Sequence, residues 1–120
     1  MVNKHHFKLL FFFCLFPLYA FSQNEYKLEV IAESEYQWTG ITISKENRIF
    51  VCFPTWDIKS PYKVAEIKNG KTTPYPDIDS NNNIFTCIQS VVVDKENTLW
   101  ILDSANSQFK GVNNGGCLLY

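Results

Sequence analysis

The sequence predicts an all-β chain, and more narrowly the first one to two blades of a truncated β-propeller. Three observations carry this. Apolar residues alternate or run in strand-length stretches, turn-forming residues separate those stretches, and the tripeptide Lys-Glu-Asn recurs in one register fifty residues apart, at Lys45 and at Lys95. Nowhere do apolar residues recur at helical spacing over a helix-length window.

Residues 1–22 stand outside the fold. Met1–Lys8 carries two lysines, two histidines and no acid, Leu9–Ala20 (LLFFFCLFPLYA) is almost wholly apolar, and Ala20-Phe21-Ser22 offers small residues for cleavage. That is the three-part pattern of a secretory signal peptide. The apolar run is shorter than the roughly 20 residues of a membrane-spanning helix, so a retained anchor is the weaker reading. Bulky Phe11-Phe12-Phe13 before Cys14 makes a lipoprotein a poor alternative. A secreted or periplasmic chain is expected, with no stable membrane insertion after cleavage.

Cleavage after Ser22 leaves 98 residues (120 minus 22), a single small domain at the low end of what buries its own core. Without Lys4 and Lys8 the chain has nine basic and twelve acidic residues, a net charge near −3. No basic block remains, which argues against a nucleic-acid partner. Cys52, Cys87 and Cys117 remain in an oxidising compartment, where one disulfide could form. The preferred reading is that Cys52 (FVCFP) and Cys87 (FTCIQ) are free, buried and apolar in character. Both histidines fall before residue 23 and no Cys-x-x-Cys is present, so a zinc site is not expected.

Taken in order, Lys27–Ala32 (KLEVIA) alternates and reads as a strand. Ile41 and Ile43 flank Thr42 in the next, and Ile49–Phe53 is a continuous buried run. Val64–Ile67 leads into Asn69-Gly70, the dipeptide that type I′ hairpins favour because both central residues need φ > 0. Pro74–Asp77 and Asp79–Asn83 read as turns. Thr86–Val93 and Leu99–Leu102 are two further strands.

Placing Ile41 over Val91 aligns Ile43 with Val93, Ser44 with Asp94, Ile49 with Leu99, Phe50 with Trp100 and Val51 with Ile101. Ser44 or Asp94 can bond backbone N–H groups at the turn, and Asn47 or Asn97 can take the left-handed conformation that returns the chain. By this alignment Trp100 is expected in the core, and Trp38 reads as structural. A period near 40–50 residues of short strands is that of propeller blades, which close in sets of about four to eight. Residues 23–120 are then the amino-terminal part of a propeller, with blade 1 at about 27–69 and a partial blade 2 at about 84–120.

The stretches QWTGITISKENRIFVCFPTW (Gln37–Trp56), PYKVAEIKNGKTTPYPD (Pro61–Asp77) and CIQSVVVDKENTLWILDSAN (Cys87–Asn106) resemble the opening of the major royal jelly/yellow family. Its bacterial members are described as related to gluconolactonase or dopachrome tautomerase. The resemblance implies a secreted six-bladed propeller with a small-molecule pocket near its axis, of which some four blades are lacking here. Thr55 stands where the family usually has arginine, and Ser104-Ala105 replaces Thr-Gly. The run Gly115–Tyr120 departs from the family's Gly-Gly-x-Lys-Leu, which fits a fragmentary gene or a frameshift.

Related lactonases hold a divalent cation such as Ca²⁺ with a first-blade glutamate and later asparagine and aspartate ligands, and the cation polarises the lactone carbonyl. Thr39, not Glu, precedes Gly40, and Glu33 and Glu35 are out of that register, so no complete metal or catalytic site is expected in this chain. The cation belongs to a full-length parent. Candidate ligand-binding residues are Asp103 at the end of its strand, and Trp56 and Tyr75 after prolines, where aromatic rings can stack on a ligand. Turn capping competes as the role of Asp103, and packing between blades as that of the two aromatics. Without histidine after residue 22, no Ser-His-Asp or Cys-His pair can form, and Gly115-Gly116 lacks the helix of a phosphate loop.

The expected function is a scaffold binding a small molecule or a partner. The alternative is part of a gluconolactonase-like lactone hydrolase or a dopachrome tautomerase-like enzyme. Open blade edges invite self-association, including closure of six blades by three copies.

Overall fold

The computed structural model describes residues 26–56 and 60–112 together with the backbone of a two-residue strand at Leu118–Leu119. The expected signal peptide and Cys117 lie outside the described residues. Among the described residues the chain is mostly β, in two antiparallel sheets with one short α-helix. The first sheet holds β1 (Gly40–Ile43), β2 (Ile49–Cys52), β3 (Val64–Lys68) and β4 (Lys71–Pro74) in sequence order. Helix α1 (Ile78–Asn83) leads to the second sheet of β5 (Ile88–Val93), β6 (Leu99–Asp103) and β7 (Leu118–Leu119). Among the described residues neither sheet closes on itself, and no helix is long and apolar enough to cross a membrane.

The turns form as their residues dictate. Between β1 and β2, Ser44 N donates to Arg48 O at 2.9 Å and Asn47 N to Ser44 O at 3.0 Å, with Asn47 left-handed at φ 60°. Between β5 and β6 the same bonds recur at Asp94 and Asn97, 3.0 and 3.1 Å, with Asn97 at φ 72°. Asparagine tolerates this region better than other non-glycine residues. Asn69 and Gly70 have φ 52° and 75°, both positive as a type I′ turn requires. Thr42 opposes Phe50 and Ile41 opposes Val51, while Val92 opposes Trp100 and Val91 opposes Ile101. The fifty-residue offset therefore holds in register as well as in sequence.

The two sheets stack face to face. Cys52 and Val64 of the first sheet close on Phe85, Ile88, Val91 and Ile101, all buried, with Tyr75 and Leu99 at the margin. Burial of each large aliphatic contributes roughly 1.5–3 kcal/mol. The approach is close at Gly40, where an added Cβ would lie 2.9 Å from Cys52 Sγ and 3.2 Å from Val91 N. Thr42 Oγ1 accepts from Val93 N at 2.9 Å, and Thr39 Oγ1 donates to Gln89 O at 3.3 Å. The two Lys-Glu-Asn turns also meet. Lys45 N donates to Asn97 Oδ1 at 2.8 Å, and Asn97 Nδ2 donates to the Glu46 carboxylate at 2.9 and 3.0 Å.

On the other side of the first sheet, Val51, Phe53 and Ala65 are covered by Tyr36, Trp38, Tyr62 and Ile67. Trp38 is structural, its ring 6.1 Å from that of Phe53.

Three expectations are corrected. Lys27–Ala32 is not a strand, and Leu28 and Val30 are 94% and 75% exposed. Alternation supplies a face, but a strand also needs a neighbouring backbone, and among the described residues none pairs with this segment. Trp100 is not in the core: it is 42% exposed and its Nε1 donates to Asp94 Oδ2 at 2.7 Å. No described residue packs over its side of the second sheet as Tyr75 and Arg48 do over Phe50. Asp79–Asn83 is part of helix α1, capped by Asp77, whose carboxylate accepts from Ser80 N at 2.8 Å.

Cys52 and Cys87 are buried and free. Burial pushes the Cys52 thiol up, against the Thr39 hydroxyl beside it.

Candidate functional site

Strand register places the Lys-Glu-Asn turns at one end of the stack and gathers the loops after β2, β4 and β6 at the other. At that loop end stand Trp56 and Asp103. Asp103 is fully buried, and its carboxylate accepts from Thr86 N (2.7 Å), Cys87 N (2.8 Å) and Ala105 N (2.9 Å). The side chain thereby ties the end of β6 to the segment entering β5. Three N–H donors take three of its roughly four acceptor positions and make it a brace.

Thr55 joins Trp56 to the same cluster. Its hydroxyl lies 2.7 Å from Ser107 Oγ and 3.2 Å from Thr86 O, and its carbonyl accepts from Gln108 N at 2.8 Å. The backbone is strained here, with Ala105, Gln108 and Phe109 at φ 51°, 56° and 56°. Non-glycine residues in this region cost on the order of 1 kcal/mol each, and such strain gathers at functional sites. It presents Phe109, 69% exposed, as a lid on Trp56, ring centroids 5.9 Å apart and 26° between planes. The Trp56 indole Nε1–H is buried and has no acceptor among the described residues. An unsatisfied buried donor costs about 1–3 kcal/mol, so an acceptor placed there would be held strongly.

Lys63 Nζ donates to Asn81 O at 2.8 Å. Burial pulls its ammonium below the usual lysine value, while the charge of Asp103 opposes that. Asn81 is fully buried with all four amide positions used: Oδ1 accepts from Lys63 N and Val64 N, and Nδ2 donates to Tyr75 O and Asp77 O. It is the pin that fixes α1 against β3. Burial pushes the Cys87 thiol up, but the Thr55 and Ser104 hydroxyls, the Thr55 N–H and the Gln89 amide outweigh it and bring the thiol below its usual value.

Tyr75 lies apart from this cluster. Its ring meets Phe50 edge-on at 4.8 Å, with the Arg48 guanidinium 5.3 Å from its centre. Arg48 in turn holds Glu66 through two bonds of 2.9 and 2.8 Å, and Lys68 adds a third contact at 3.1 Å. The structure thus brings Trp56 and Asp103 together through Thr55 and Thr86, and places Tyr75 on the sheet face. Phe109, Lys63, Asn81 and Ser107 escape sequence reasoning. Only Thr55 carries a signal, as the departure from arginine before Trp56.

Among the described residues no three His, Cys, Asp or Glu side chains converge as metal ligands. The carboxylate best placed to try, Asp103, is spent on backbone N–H groups, so the calcium site of the lactonase alternative finds no fit here. No protein-family model, curated protein or solved structure matches the chain.

Proposed function

We propose that this chain supplies two blades of an exported propeller of the royal jelly/yellow kind and acts as a binding scaffold for a small molecule. The stacked sheets related by one offset support the blade reading. The ligand site is the loop end around Trp56. The observation that carries it is the buried Trp56 N–H, left without an acceptor beneath an exposed aromatic lid. That combination fits a flat, acceptor-bearing molecule such as a lactone or a quinone, stacked against the indole and accepting its N–H bond. Asp103 acts by holding the loop corners rather than by touching the ligand, and Tyr75 by packing on the core.

The test is the indole N–H signal of Trp56 in a proton–nitrogen correlation spectrum, titrated with gluconolactone and with a catechol-derived quinone. A saturable shift confined to Trp56, lost in Trp56→Phe, is the expected result. Equal small shifts at Trp38 and Trp100, or none at Trp56 with either compound, count against the site.

A further inference from the structure

The fifty-residue offset relates the surfaces of the two sheets as well as their turns. Within the molecule, the first sheet packs through Gly40, Thr42 and Cys52 onto the second sheet's Ile88, Val91 and Ile101. Subtracting fifty from the receiving residues, with Gln89 and Ser90 between them, gives Trp38, Thr39, Gly40, Ile41 and Val51. Those five residues line a hollow of about 220 Å³ on the outward side of the first sheet. Ile41 beside it is 66% exposed.

Adding fifty to the donating residues gives Ser90, Val92 and Leu102, and Phe50 becomes Trp100. Val92, Trp100 and Leu102 share the outward side of the second sheet and are 54%, 42% and 38% exposed. The molecule therefore displays, on opposite sides, a copy of its internal receiving surface that stays open at Ile41 although Val51 beneath it is covered, and an unfilled copy of its internal donating surface. An apolar strip of this kind on a sheet is a marker of association.

The turns repeat the relation. Inside the chain Asn97 fits between Lys45 N and the Glu46 carboxylate. The corresponding pair is Asn47 with Lys95 and Glu96, and the side chains of Asn47 and Glu96 are exposed with no partner among the described residues.

We propose that a second copy of this chain occupies these surfaces head to tail. The Val92–Trp100–Leu102 face of one copy docks on the Trp38–Gly40–Val51 hollow of the next, and Asn47 of that copy joins Glu96 of the first. The contact is heterologous: each copy uses one surface to give and the other to receive, so assembly adds copies until the rotation closes a ring, or runs on as an open filament where it does not. One internal bond has no counterpart, because Val92 lacks the hydroxyl with which Thr42 accepts from Val93 N. Apolar contact through Trp100 takes its place.

Sedimentation velocity of the purified chain from micromolar to submillimolar concentration tests this, and a mass rising above the monomer is expected. Trp100→Glu and Ile41→Glu, both at exposed positions, each weaken association by about 30-fold or more, as loss of a central contact does. Asn47→Ala weakens it by about fivefold. The decisive arm mixes the two glutamate variants. Each keeps one intact surface, so the mixture forms a one-to-one dimer while either alone stays monomeric. Near-ultraviolet circular dichroism checks that both retain the fold. A wild-type chain that stays monomeric throughout overturns the proposal and leaves both faces to another segment or partner. So does association that neither variant reduces, or a mixture that fails to pair.

Discussion

The two hairpins carrying Lys-Glu-Asn make a natural comparison. They share turn bonds, left-handed asparagines and cross-strand register. They differ in what lies over equivalent side chains. Phe50 is 2% exposed, under Tyr75 and the Arg48 guanidinium, whereas Trp100 is 42% exposed and held at its rim by Asp94. Where the first hairpin has Arg48, the second has Thr98, and the ion pair with Glu66 is not repeated there. Local sequence of one apolar and turn pattern thus yields one buried and one open aromatic, because burial is set by neighbours distant along the chain.

The largest effect tests that contrast directly. Phe50→Ala removes a buried ring packed against Tyr75 and Arg48 and is expected to lower stability by about 3–4 kcal/mol. Trp100→Ala, at an open site, should lower it by less than about 1 kcal/mol. Urea unfolding of both variants measures the gap, and equal losses would mean the two hairpins are equivalent after all.

Next comes the charge pair that only the first hairpin has. Hydrogen bonds from Arg48 hold the Glu66 carboxyl at about 2, against an ordinary 4.5. A depressed carboxylate contributes stability above the unfolded value and loses it as pH falls through the folded one. Stability should therefore drop between pH of about 4.5 and about 2. Glu66→Gln should lose about 2 kcal/mol at neutral pH, discounted for the half-exposed arginine, and show a flatter acid limb. Denaturation midpoints across that range decide it; an unchanged acid limb in the variant would remove Glu66 as its source.

The smallest effect separates the two asparagines. Both alanines meet the left-handed φ that asparagine tolerates better, a loss shared by the two variants. Asn97→Ala also breaks the bridge to Glu46, so it should lower stability by about 1 kcal/mol more than Asn47→Ala measured under dilute conditions where the chain is monomeric. Thermal melts of the pair suffice, and a larger loss at Asn47 would contradict its solvent-facing placement.

Much of the fold was legible because it is local. Asn69-Gly70 and the two Lys-Glu-Asn turns depend on φ preferences within four or five residues, and short apolar runs place the strands between them. Lys27–Ala32 misled for a physical reason: Leu28 and Val30 alternate with charged residues, yet among the described residues no neighbouring strand completes its hydrogen bonds. Asp79–Asn83 misled in another way, since asparagines that suit a turn also suit one helical turn when Asp77 caps it and Asn81 is pinned by β3. At the candidate site, Trp56 and Asp103 stood out as an aromatic after proline and an acid at a strand end. Their partners Thr55, Thr86, Ser107 and Phe109 come from three loops, and no pattern in the chain announces that they meet.

By itself, then, the sequence determined the all-β class, the turns and the fifty-residue offset, all of which follow from backbone preferences read over a few neighbours. Tertiary structure alone decided that Phe50 is covered and Trp100 is not. It also tied the Asp103 carboxylate to three backbone N–H groups, and set the second turn against the first through Asn97. Those outcomes depend on which surfaces meet across tens of residues, and burial, hydrogen-bond satisfaction and strain are properties of that meeting rather than of any one segment.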